Sequence, residues 1–268
     1  MLTFTSQQLY AWIAMFIWPT TRILGLLAIA PPFGSASVPM LVKVLLGVAI
    51  GAVIAPDVPI PAALDPMSMT GILILLQQLL VGLSMGLAMR IVFAAVEAAG
   101  ELTSSTMGLS FAAFFDPQTQ GRTSVVSQVF SLLATMVFLS LNGHLILLQV
   151  MAESFHSLPI SAQPITTEGF HQLGLWGAKV FSMGLQLSLP FLIALLITNF
   201  ALGILTRSAP QLNLFGIGFS ITMLAGFILI GFGLPYMLTP LQRFLSDGVE
   251  MVRLLGSVPP IKALPKLP

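Results

Sequence analysis

The sequence predicts an all-α, polytopic membrane protein built of helical hairpins. Three observations carry that prediction. Only 7% of the 268 residues are charged, whereas 56% are apolar. The mean hydropathy is +0.99. The apolar residues also fall in continuous runs and not in alternation. A soluble domain carries about a quarter charged residues to keep its surface wetted. Ten Lys/Arg and nine Asp/Glu cannot do this for a chain of this length. Strands of membrane barrels alternate apolar and polar residues over about ten positions. A continuous apolar run must pair its backbone groups within itself, and a helix does so.

A span needs about 20 largely apolar residues. About six such segments follow one another, with an amphipathic helix after them. The first runs from about Leu9 to Ala30 with Arg22 inside it, and Pro31-Pro32-Phe33-Gly34 breaks it. The second covers about Val38 to Ala55. Pro56, Pro59, Pro61 and Pro66 stiffen the next stretch, which also holds Asp57 and Asp65. The third begins near Gly71 and passes Arg90 to about Ser105, because no proline interrupts it. The fourth spans about Val125 to Met151. From Glu153 to Glu168 the chain is polar and contains proline, which reads as an ordered loop. The fifth covers about Leu173 to Leu205. Pro190 in its middle is tolerated where neighbouring helices satisfy the freed carbonyl. The sixth runs from about Leu212 to Leu234, before Pro235. Leu241 to Leu255 is amphipathic, and a Pro-rich tail fills Pro259 to Pro268. The whole reads as one integral-membrane domain over 1–268. Its hairpins fall over 1–124 and 125–240, and the amphipathic helix and tail over 241–268.

Charge placement leaves a conflict. The loops near Asp57/Asp65 and Glu153/Glu168 lack Lys and Arg and should face outside. Arg122 and Arg207 mark inside loops between them. Continued counting puts the tail outside, although it carries Arg243, Arg253, Lys262 and Lys266. Either one segment does not cross fully, or the helices are not laid out as simple spans.

Several function classes are disfavoured. The net charge of +1 argues against a nucleic-acid partner. Without cysteine there are neither disulfides nor thiolate metal sites. His144, His156 and His171 lack the i,i+4 spacing of a metal pair, so no metal or other cofactor is expected. No G-x-x-x-x-G-K-[ST] loop is present, so energy coupling is expected from other components. The first apolar stretch lacks a basic leading region and is long enough to span, so a cleavable signal is not expected.

Gly82-Leu83-Ser84-Met85-Gly86 matches G-x-S-x-G, but that nucleophile elbow needs a strand, a turn and then a helix. Inside a long apolar helix it reads instead as a face on which Gly82 and Gly86 admit another helix closely. Gly47 and Gly51 repeat the spacing. No catalytic residue is assigned, and the chain reads as non-enzymatic.

Arg90, Glu97 and Glu101 fall on one helical face at about 100° per residue. Ionisable groups in a membrane must face a partner or a watery cavity. The stripe therefore either lines a conduit or forms a structural ion pair. Arg22 and Lys179 are isolated in their segments. Each implies a carboxylate or carbonyl partner, possible on another subunit, and Lys179 could also snorkel. Asn142-Gly143-His144 lies within the fourth segment, and His144 is expected to make an interhelical hydrogen bond in preference to serving as a proton relay. Gly108-Leu109-Ser110-Phe111-Ala112-Ala113-Phe114-Phe115-Asp116-Pro117 places three Phe within five residues before a turn. Such a stretch is either a packed loop or a hydrophobic constriction, which excludes water and ions. The 14 Met residues suit irregular or changing surfaces, whether they fill gaps between helices or line a gate.

Three motifs carry a family resemblance. They are Gly108-Leu109-Ser110-Phe111-Ala112 with Phe115-Asp116-Pro117; Asn142-Gly143-His144 with His156 and Leu158-Pro159; and Arg207-Ser208-Ala209-Pro210-Gln211-Leu212-Asn213 with Phe215, Gly218 and Phe219. Their order and spacing, with Arg22 and Pro31-Pro32-Phe33-Gly34, resemble the FliR family of flagellar export-gate R subunits. The T components of virulence-associated type III secretion share this type. The resemblance covers nearly the whole chain and is least diagnostic after Leu255.

The resemblance implies a helical hetero-oligomer in which the R subunit closes an assembly of P-type and Q-type subunits. Its helices then pack as tilted hairpins partly raised from the bilayer plane, which would dissolve the topology conflict. It implies that Gly108, Leu109, Ser110, Phe111, Ala112, Ala113 and Phe114 form a plug loop across the channel. It implies that Arg207, Pro210, Gln211 and Asn213 make a tight helix–turn that packs on Q-type subunits. Expected partners extend to the B-type and A-type export components, membrane lipid and unfolded flagellar substrates in transit. The expected location is the bacterial inner membrane at the flagellar basal body. The rival is a small-solute or ion transporter with Arg90, Glu97 and Glu101 in its pathway. Transporters often show two similar halves with paired broken helices, and no convincing sequence repeat is found.

Overall fold

Every regular element among the described residues is helical. The computed structural model describes residues 6–59, 65–109, 124–162, 167–208 and 218–257. The α-helices are α1 (Ser6–Ile29), α2 (Met40–Ile54), α3 (Met69–Thr106), α4 (Val125–Ser140), α5 (Gly143–Ser157), α6 (Thr167–Ser208) and α7 (Phe219–Ser257), with a 3₁₀ turn, Ala55–Asp57, after α2. Five segments among the described residues are long and apolar enough to cross a membrane: α1, α2 together with its 3₁₀ turn, α3, α6 and α7.

Local signals explain several boundaries. Ser68 stands before α3, and its Oγ accepts from Gly71 N at 3.1 Å. Ser124 caps α4 by accepting from Ser127 N at 3.2 Å. Both occupy otherwise unsatisfied first-turn donors.

Three expectations are corrected. The fourth apolar segment is not one helix. Asn142 takes a left-handed conformation (φ 56°) and separates α4 from α5. Asparagine enters that region more readily than most residues, and the following Gly143 starts α5. The loop expected from Glu153 begins later, because α5 continues to Ser157. The sixth segment does not stop before Pro235. α7 runs through Pro235 and Pro240 to Ser257, so the amphipathic stretch Leu241–Leu255 is its continuation.

By their contacts the residues form two compact units. The first draws on Met1–Ile91, Asn142–Gly177 and Asp247–Pro268. Trp18, Arg22, Ile23, Leu26 and Leu27 of α1 are fully buried here, with Ile74, Met85 and Met89 of α3 and Phe155 of α5. Glycines set the closeness of α1 to α3. A Cβ at Gly25 would stand 2.9 Å from Leu79 O, one at Gly86 2.8 Å from Leu26 O, and one at Gly82 would collide with Arg22 O. Lipid tails are as apolar as the helices, so close packing replaces the hydrophobic effect as the source of association. Gly47 and Gly51 of α2 likewise face the side chains of Leu24 and Thr20. Both small-residue spacings thus serve packing.

The second unit draws on Val92–Leu141 and Ala178–Ser246. Phe93 meets Phe138 edge-on at 6.0 Å, and Phe130 lies 5.8 Å from Phe191. Gly100 lets α4 approach α3 at Ser127, and Ser127 Oγ donates to Glu97 O at 2.8 Å. Large apolar side chains also point outward here: Phe181 is 82% exposed and Phe232 78%. Surfaces of this kind are covered by lipid or by other protein.

Candidate functional site

The stretch expected to seal a channel departs from the end of α3, in the second unit. Met107 N donates to Thr103 O at 3.0 Å and Gly108 N to Ser105 O at 3.1 Å. Gly108 then turns to φ +86°. Only glycine takes that region freely, and it commonly ends helices there. A Cβ at Gly108 would also stand 2.7 Å from the Phe219 ring.

The last carbonyls of a helix lack donors of their own. Two side chains supply them here. Asn199 Nδ2 of α6 donates to Thr106 O at 3.2 Å. Thr222 Oγ1 of α7 lies 3.2 Å from Met107 O. The same hydroxyl is 3.2 Å from Gly218 O and 3.1 Å from Phe219 O. Met107 is fully buried, and a Cβ at Gly226 would stand 2.5 Å from its side chain. A cavity of about 370 Å³ adjoins, walled in part by Ser105, Thr106, Gly108, Asn199 and Thr222. Gly108 and Leu109 of the predicted sealing stretch are therefore placed. Ser110, Phe111, Ala112, Ala113 and Phe114 lie outside the described residues, as do Pro210, Gln211 and Asn213. Arg207 is exposed in the last turn of α6.

The predicted polar stripe divides between the units. Arg90 is exposed in the first. In the second, Glu101 Oε2 accepts from Ser124 N at 3.3 Å and so stands at the N-terminus of α4. A carboxylate there meets the positive end of the helix dipole. Half-buried Glu97 borders a cleft of about 280 Å³ with Ser127, Gln128, Ser131 and Thr135.

Arg22 finds its partners within its own unit. Its Nε donates to Gln78 Oε1 at 2.8 Å. Nη1 donates to Ser154 O at 3.0 Å and lies 3.1 Å from Ser154 Oγ. Nη2 donates to Leu158 O at 3.0 Å. The guanidinium also sits 4.3 Å over the Phe155 ring. The expected carbonyl partner is thus present on the same chain. The site is the C-terminal end of α5, where unsatisfied carbonyls and the negative end of the helix dipole favour a cation. Nearby, Ser157 Oγ donates to Gly256 O at 2.7 Å, and Arg253 stands 3.8 Å from Glu153.

The remaining polar residues have simpler settings. Lys179 is exposed, and Asn142 forms the break before α5. His144 Nδ1 has no hydrogen-bond partner among the described residues, so the expected interhelical bond is not seen at that atom. Ser84 Oγ donates to Val81 O within its own helix at 2.8 Å, with no strand or turn before it. Among the described residues no cluster of metal-ligating side chains occurs. Sequence reasoning missed Asn199, Thr222 and Gln78. The available signal was a polar side chain inside an apolar helix, which needs a partner.

Comparison with known proteins supplies the context. The family model described as bacterial export proteins, family 1, matches residues 13–248. The flagellar biosynthetic protein FliR of Pectobacterium carotovorum subsp. carotovorum is 43% identical over 252 residues, covering 94% of this chain and 96% of its own length. FliR of Escherichia coli strain K12 is 38% identical, covering 92% of this chain and 94% of its own length. FliR of Bacillus subtilis strain 168 is 27% identical, with 89% and 93% covered. With the family's pattern spanning most of the sequence and relatives well above 30% identity aligned almost end to end, this chain belongs to the bacterial export proteins of family 1.

Proposed function

We propose that this chain is a non-enzymatic core subunit of the flagellar protein export gate, where it helps to form and to seal the channel for unfolded flagellar subunits. The observation that carries the reading is the near end-to-end match to flagellar biosynthetic FliR proteins. The apolar faces of α6 and α7 support it, because they need lipid or neighbouring subunits to cover them. On this reading P-type and Q-type subunits are the neighbours, with the B-type and A-type export components beyond them. The location is the bacterial inner membrane at the flagellar basal body. Residues 108–114 are the stopper, since an apolar constriction excludes water and ions. Arg207, Pro210, Gln211 and Asn213 contact a Q-type subunit, and Glu97 faces a hydrated cleft.

The test is deletion of Leu109 to Phe114 in the complete gate, with ion conductance of the membranes as the readout. Conductance should rise while the complex still co-purifies. Unchanged conductance in an intact complex refutes the sealing role.

A further inference from the structure

We infer that Asn199 and Thr222 are positioning residues that hold the C-terminal end of α3, and that Thr222 is built to let go. The link to channel sealing rests on the proposed function; the hold itself does not.

The argument starts from one proton. A threonine hydroxyl can donate once. Thr222 Oγ1 has three carbonyl oxygens within reach, at 3.2, 3.2 and 3.1 Å. One is Met107 O, at the end of α3. The others are Gly218 O and Phe219 O, four and three residues back, which are the usual acceptors of a helical threonine. Thr222 is buried at 4% exposure. A buried hydroxyl that lost its only acceptor would be left unsatisfied at a cost. Here the donor can turn from Met107 O to its own helix and remain paired. For the donor, release therefore costs little; what release gives up is the bond to the Met107 carbonyl.

Asn199 completes the hold and is releasable for a different reason. It is half-buried and borders the cavity of about 370 Å³, whose wall is mostly apolar but includes Ser105, Thr106 and Thr222. That volume accommodates water, which can take over the amide and Thr106 O once they part. Packing sets the closed position. The Met107 side chain fits where Gly226 has none, and the Phe219 ring closes on the flat face of Gly108. The left-handed turn at Gly108 then gives the chain its direction at Leu109. Two hydrogen bonds and one side-chain fit thus decide where the following segment starts.

The test exploits a chain without cysteine. Leu109→Cys gives a single reporter thiol at the end of α3, in the complete gate within native membranes. The readout is the rate of labelling by a small water-soluble maleimide. Thr222→Val removes the hydroxyl and keeps the shape, Thr222→Ser keeps the hydroxyl, and Asn199→Leu removes the amide. Thr222→Val and Asn199→Leu should speed labelling about fivefold or more, the scale of one lost hydrogen bond. Thr222→Ser should label like the parent. Unchanged rates in Thr222→Val and Asn199→Leu overturn the hold, as does a Thr222→Ser rate equal to that of Thr222→Val. Should Asn199→Leu fail to co-purify with the gate, the valine–serine pair decides alone. Ion conductance of the same membranes separates the two ideas. Faster labelling with no added leak supports the hold and refutes the sealing role of the segment. Added leak without faster labelling overturns the hold.

Discussion

Replacing Arg22 with methionine removes the guanidinium while keeping an unbranched side chain along its path. The side chain is fully buried and donates to Gln78 Oε1, Ser154 O and Leu158 O. Ser154 O keeps the Leu158 N–H, 2.9 Å away. Gln78 Oε1 and Leu158 O lose the donors described for them. Each stranded buried acceptor costs about 1–3 kcal/mol. Removing a charge from water's reach returns part of this, since burying a cation is itself unfavourable. The carbonyls, however, cannot be removed with it. Two stranded acceptors, less that return, leave a net loss of about 1–4 kcal/mol. At ~2–4 °C per kcal/mol for a chain of this size, the melting temperature should fall by ~2–16 °C. Thermal unfolding of the detergent-purified complex, followed by Trp fluorescence, measures it. Arg22→Lys restores the charge but not the planar fork, so it should recover only part of the loss. A methionine variant that melts with the parent would refute the account of Arg22 as the cap of α5.

Other perturbations should separate packing from chemistry. Gly82→Ala drives a methyl against Arg22 O in a backbone contact. It should cost at least ~2 kcal/mol and reduce co-purification with the gate. Glu101→Lys puts a cation at the N-terminus of α4 and removes the acceptor of Ser124 N. It should cost ~1 kcal/mol, visible as a lower melting temperature and reduced export, and normal values in both would make the contact incidental. Ser84→Ala removes only a bond to its own helix. Stability should stay within ~0.5 kcal/mol and motility should be normal; lost motility with intact assembly would revive a chemical role for that serine.

The fold class was legible because hydropathy reports solvent, and lipid demands helices. The bounds near Ser105 and Val125 were legible from the apolar runs, and Gly108 and Ser124 mark those ends in the structure. The break at Asn142 was hidden inside an apolar run, although Asn-Gly is a turn pair in its own right. The continuation of α7 through Pro235 and Pro240 was not legible. Whether a proline ends a helix depends on what surrounds the carbonyl it frees. The same limit applies to the site. Arg22 announced that it needed an acceptor, but its acceptors lie 56, 132 and 136 residues away in sequence. Asn199 and Thr222 gained a role only once the end of α3 lay beside them.

The glycine seam between α1 and α3 has a mechanical corollary. Where main chain rests on main chain, as at Gly25, Gly82 and Gly86, no cushion of side chains can shear or repack. A push on one helix reaches the other undamped, and slippage by a turn would drive leucines into the space a hydrogen now fills. Whatever part of the fold yields under load must therefore lie outside that stiff pair.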